Sequence, residues 1–218
     1  PAFGIVSEVM PTFARKPIFG YKMIAFSSVA IALLGFSVWA HHMFTSGMVP
    51  WLQLPFMIIT MVIAVPTGVK IFSWMATLWG GSIRWMTPML FATGFIITFT
   101  CGGLTGFFLA AVPADYHEHG TYFVVAHFHY VLYGGSVMGL FAGFYYWFPK
   151  MCGRMYNETL GRWHFWITFV AFNGTFMPMH WLGLMGMPRR VAQYDPQFQF
   201  WNQFASISSF ILAASMLL

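Results

Sequence analysis

Tyr122-Phe-Val-Val-Ala-His-Phe-His-Tyr130 places two histidines, His127 and His129, inside an otherwise apolar run. On a helix each residue turns the side chain by about 100°, so a two-residue step turns it by about 200°. The two imidazoles therefore leave opposite sides of one helix. They cannot ligate the same metal ion, but each can ligate a centre on its own side. A single histidine within a membrane often does no more than hydrogen-bond between helices. Two on opposite faces within three residues are harder to explain that way, because polar groups in hydrocarbon are costly.

The surroundings make hydrocarbon the expected medium. The chain is 59% hydrophobic and 21% aromatic, with 7% charged residues, where a soluble domain carries about 25%. Its apolar residues fall in blocks close to the roughly 20 residues that cross a bilayer. Backbone groups in lipid must be satisfied within their own segment, so each block is expected to be a helix. The fold expected is an all-α polytopic transmembrane helix bundle, with residues 1–218 as a single domain. It should have about six spans plus a leading half-helix. The spans fall at 23–40, 54–78, 87–112, 121–148, 163–187 and 198–218, with 1–11 as the tail of an earlier helix. The second is expected to be interrupted at Pro66-Thr-Gly68, and residues 113–120 to form a polar loop. The chain lacks an initiator Met and a signal peptide, and it stops inside an apolar run. It therefore reads as a piece of a longer polypeptide.

The formal net charge of +5 does not point to nucleic acid, because basic residues in such a chain serve as topology signals. Arg15, Lys16, Lys22, Arg84, Lys150, Arg154 and Arg162 fall in alternate connections, which the positive-inside rule assigns to the inner side. The other connections hold His41-His42, His117 and His119, and Arg189-Arg190. His127 lies only six residues into its span from that outer side, roughly 9 Å at about 1.5 Å per residue. The candidate ligands thus share one depth. Cys101 and Cys152 form no C-x-x-C pair, which argues against a disulfide framework or a cysteine metal site.

His41 and His42 diverge by about 100° on a regular helix. At a helix end, where the backbone departs from regularity, both can turn to one ion, and imidazole suits copper, iron or zinc. An interfacial polar pair is the plainer reading. Lys70 is the basic residue set deepest in a span, about eight residues from the inner end and so roughly 12 Å. A snorkelling stem covers only part of that distance. Thr67 lies one turn away on the same face, so the two suit a proton path from the inner side. Arg189-Arg190 are either interfacial anchors or partners for carboxylates, which guanidinium binds bidentately. His164 and His180 read as structural, and Gly135, Gly139 and Gly143 as a close-packing stripe.

Trp39-Ala-His-His-Met43, Val65-Pro-Thr-Gly-Val-Lys70, Val125-Ala-His-Phe-His-Tyr130 and Gly186-Met-Pro-Arg-Arg190, in that order, resemble haem–copper oxidase subunit I. The resemblance runs the length of the chain and corresponds to the second half of that subunit. It implies a terminal respiratory oxidase that reduces O2 to water and pumps protons. Electrons would come from cytochrome c through subunit II, or from quinol in a related oxidase. Two haems, low-spin and high-spin and of the haem A type, and copper would be the cofactors. His127 would be the axial ligand of the oxygen-binding haem and His129 one ligand of the low-spin haem. His41 and His42 would be two of three copper ligands. Lys70 and Thr67 would belong to the proton path called the K channel, and Arg189 and Arg190 would hold haem propionates. His119 matches a position near a magnesium or manganese ion, but Gly120 stands where the family often has Asp. The third copper histidine, the second low-spin ligand and an acidic proton path would lie upstream of Pro1. Subunits II and III and membrane lipid would be the partners, with a bacterial cell membrane favoured over a mitochondrial one. From another class, a transporter or a non-catalytic haem-binding membrane protein with histidine relays remains open.

Overall fold

A computed structural model of the chain describes residues 1–218, and it is helical throughout. The helices are α1 (Ala2–Ala14), α2 (Tyr21–Gly35), α3 (Pro50–Val62), α4 (Ala64–Leu78) and α5 (Thr87–Ala110). They continue as α6 (Val112–Glu118), α7 (Tyr122–Val131), α8 (Met138–Cys152), α9 (Glu158–Leu184) and α10 (Gln199–Ser215). A 3-10 turn, Trp39–Met43, lies between α2 and α3, and a π turn, Leu132–Val137, joins α7 to α8.

Three continuous helices are long and apolar enough to cross a membrane: Pro50–Leu78, Thr87–Ala110 and Tyr122–Cys152. α2 and α10, with 15 and 17 residues, are shorter than the roughly 20 that span hydrocarbon. α9 has the length, with 27 residues, but interleaves more polar side chains. Large apolar residues such as Phe26, Phe36, Phe72, Trp79 and Phe210 face outward. That is the surface a chain presents to lipid or to other transmembrane helices.

Three local departures from expectation have clear causes. The break in the second span falls at Ile63, not at Pro66-Thr-Gly68. Proline has no amide for the carbonyl four residues back and its ring crowds that carbonyl, which here is Val62, the last residue of α3. The expected loop at 113–120 is instead the short helix α6. Pro113 sits in its first turn, where proline is pre-organised, and Asp115 lies near the positive end of the helix dipole. α9 begins at Glu158 rather than near 163, because the Asn157 side chain accepts from the Thr159 and Leu160 amides and caps the helix there.

α5 is central. It packs against α7, α8 and α9, while α10 lies along α9 and α2 along α4. The core between them is aromatic: Trp74, Phe91, Phe95, Tyr130 and Phe172 are buried together. The three stripe glycines pack closely, Gly135 on Phe99 of α5, and Gly139 and Gly143 on Ala2 and Ile5 of α1.

The two ends differ in chemistry. At one end Lys16 donates to the Ala76 and Trp79 carbonyls and so satisfies the end of α4. Nearby Glu158 accepts from the Thr87 amide at 2.9 Å and from Arg162 at 3.0 Å. At the other end the connections are woven together. Tyr122 donates to Met187 O, Arg189 to Gly120 O, and Gln53 to Tyr116. That second end carries the histidines, as the alternation of charges required.

Candidate functional site

His127 and His129 occupy opposite faces of α7. The His127 ring turns to α5, where a Cβ built on Gly106 would lie 2.7 Å from its Cε1. Its Nδ1 lies 3.0 Å from Gly102 O and 3.1 Å from Thr105 Oγ1. A carbonyl only accepts, so Nδ1 carries the proton and Nε2 keeps its lone pair. His129 turns to α9 and stacks on Phe176 at 4.0 Å between ring centroids. Its Nδ1 donates to Val125 O at 2.8 Å, which again leaves Nε2 unprotonated.

His41 and His42 lie on the 3-10 turn, not on an α-helix end. Their Nε2 atoms stand 3.0 Å apart, with ring centroids at 4.1 Å. Thr60 on α3 fixes the tautomer. Its hydroxyl proton goes to Phe56 O at 2.6 Å, so toward His41 Nδ1, at 3.1 Å, it acts as acceptor. His41 therefore holds its proton on Nδ1 and offers Nε2 toward His42. In His41, His127 and His129 the proton sits on Nδ1 and Nε2 keeps its lone pair, the arrangement that prepares imidazole for a metal. Thr60, Thr105, Gly106 and Phe176, which hold these rings, carry no sequence signal of their own; threonine and glycine in apolar helices are commonplace.

Lys70 is buried, and its ammonium is 4.9 Å from the Phe3 ring centroid. It donates to Ile24 O at 3.3 Å and to the Ser28 hydroxyl, both on α2. Thr67 bonds Ile63 O at 2.8 Å, back along its own helix, and no hydrogen bond joins it to Lys70. Ser28 is thus the hydroxyl that α2 brings to the lysine. Arg189 is partly covered and Arg190 exposed, the latter with a left-handed φ of 64°. Neither guanidinium has a carboxylate partner in the chain, which holds only two ion pairs, His119–Asp115 and Arg162–Glu158.

His119 Nδ1 meets Asp115 Oδ2 at 2.8 Å, one turn away on α6 and its cap. Burial raises the Asp115 carboxyl above its ordinary range while His119 opposes the shift; Glu118 is raised by burial and by Asp115. Nowhere do three His, Cys, Asp or Glu side chains converge as a metal-holding group. His119 with Asp115 and His41 with His42 meet only as pairs. His164 Nδ1 pairs with the Tyr145 hydroxyl at 2.8 Å. His180 is buried beside Phe123 and Tyr130 with both ring nitrogens unpartnered.

Residues 1–211 match the family described as Cytochrome C and Quinol oxidase polypeptide I. The chain belongs to this family. Oxidase polypeptide I relatives named cytochrome c oxidase subunit 1 align along nearly all of it. The Synechocystis sp. protein is 63% identical over 99% of this chain and 39% of its own length. Those of Thermostichus vulcanus and Cereibacter sphaeroides are 60% and 56% identical over 100% of this chain, and 39% and 38% of their own lengths. The chain thus spans about two fifths of the length of the curated relatives it matches. A solved heme-copper terminal oxidase dimer shares the fold, with TM-score 0.75 at 20% identity, over 83% of this chain and 37% of its own. The family implies haem and copper, and the imidazoles fit both: unprotonated Nε2 atoms suit haem iron and copper alike.

Proposed function

We propose that residues 1–218 form one transmembrane domain, the C-terminal half of the catalytic subunit of a terminal respiratory oxidase that reduces O2 to water and pumps protons. The observation that carries this is the placement of His127 and His129. α7 turns the His127 ring to α5 and lays the His129 ring on Phe176 of α9, each with its proton on Nδ1 and Nε2 unprotonated. Haem and copper, when bound, supply oxygen binding and the electron path. Every other role falls to the chain. His127 holds the oxygen-binding haem and His129 the low-spin haem, while His41 and His42 supply two copper ligands. Arg189 and Arg190, free of internal carboxylates, hold haem propionates at the outer end. Lys70, with Thr67 on its helix, delivers protons from the inner side, and the Ser28 hydroxyl holds its ammonium. Phe128, between the two histidines in sequence, packs its ring against His129.

The relatives' names favour cytochrome c as donor and their organisms a bacterial membrane; subunits II and III are the partners the family resemblance favours, and a quinol donor is the alternative. Haem A is the haem type the family resemblance favours. A carbon monoxide difference spectrum of the purified, assembled complex tests the reading. A carbon monoxide-sensitive haem beside an insensitive low-spin one is expected. A complex without haem would refute it and leave a transporter reading.

A further inference from the structure

The π turn that follows the two histidines is held from α5. On a regular α-helix the Met138 amide would bond Gly134 O four residues back. Here it goes to Gly135 O and Tyr133 O instead. The Gly134 carbonyl takes a hydrogen bond from the Thr98 hydroxyl at 2.9 Å. Thr98 is fully buried, and its hydroxyl is also 2.8 Å from Gly94 O, so one proton is shared between α5 and the π turn. The approach is close: a Cβ on Gly134 would stand 2.7 Å from Thr98 Cβ.

Thr98 belongs to a stripe. Residues four apart share a helix face, and Gly102 and Gly106 continue it along α5. A Cβ on Gly102 would sit 3.0 Å from the backbone at Tyr130 and Val131, and one on Gly106 would strike His127. One face of α5 therefore meets the histidine helix at three levels. At the first of these its side chain donates to a carbonyl that regular helix bonding has released. π turns often mark functional positions in otherwise regular helices.

We propose that Thr98 is a positioning residue. By holding the Gly134 carbonyl it fixes the π turn, and through it the rotation of His127 toward α5 and of His129 toward Phe176. This rests on the reading of the two histidines as haem ligands. Thr98→Val keeps the side-chain shape and removes the donor; Thr98→Ser keeps the donor. In the assembled oxidase, Thr98→Val is expected to shift the electron paramagnetic resonance g-values and the midpoint potential of the low-spin haem, with haem content retained. Thr98→Ser is expected to restore the parent values. A Thr98→Val enzyme with parental g-values and potential overturns the proposal, whatever its thermal midpoint. If Thr98→Val does not accumulate, Gly134→Ala disturbs the same contact from the other side and is read by the same two outcomes. A parent complex lacking haem would instead overturn the haem-ligand reading, and this proposal with it.

Discussion

His41 and His42 are neighbours in sequence, yet their Nε2 atoms face each other 3.0 Å apart. A regular helix would separate the two rings by about 100°; the 3-10 turn brings them together. Two imidazole nitrogens at that distance, one at least unprotonated, are placed to share an ion.

Thr60 keeps the His41 proton on Nδ1 and the lone pair on Nε2. Thr60→Val removes the acceptor for Nδ1 and frees the proton to move to Nε2. Loss of such a supporting partner typically costs about 10–100-fold in metal affinity. Copper per haem, measured by elemental analysis of the assembled oxidase, should fall while the low-spin haem spectrum stays. Thr60→Ser should retain copper.

Gly106 gives the His127 ring its room. Alanine there would place a methyl 2.7 Å from Cε1, inside van der Waals contact, and the ring would have to turn. Gly106→Ala should weaken or abolish the carbon monoxide-sensitive haem signal and leave the signal from the His129 side intact. An unchanged carbon monoxide spectrum would separate His127 from the oxygen-binding centre.

Lys70→Met in the assembled enzyme should slow reduction of the oxygen-binding haem and leave its spectrum unchanged. Ser28→Ala, which strips one of the two partners of the ammonium, should slow it in the same direction by a smaller factor. Stopped-flow reduction in the absence of O2 measures both. Parental rates in Lys70→Met would remove the lysine from the proton path.

At the inner end, Glu158→Ala leaves the Thr87 amide and Arg162 without their acceptor. A lost cap or charged hydrogen bond of this kind costs about 1–2 kcal/mol. Thermal unfolding should therefore come earlier, with both haem spectra preserved.

Much of this was legible in the sequence, and for physical reasons. The two-residue spacing of His127 and His129 fixes opposite faces because helical rotation leaves no choice. The alternation of Lys and Arg predicts that the histidine-bearing connections share one end, and they are woven together there. The break falls at Ile63, one turn before Pro66, because proline acts on the carbonyl four residues before it. The helix at Val112–Glu118 was hidden by its polar composition, although Pro113 and Asp115 are good first-turn residues. Thr60, Thr98, Thr105, Ser28 and Phe176 were out of reach. Their roles arise from contacts between helices, and a hydroxyl in an apolar helix announces nothing until its partner is known.

One helix, α7, is proposed to serve two separate iron centres. This is tested most directly by optical and electron paramagnetic resonance spectra of His127→Asn and His129→Asn in the assembled oxidase. Complementary losses are expected: the His127 variant keeps the low-spin signal and loses carbon monoxide binding, and the His129 variant loses the low-spin signal. Two variants that lose the same signal, or neither, would contradict it.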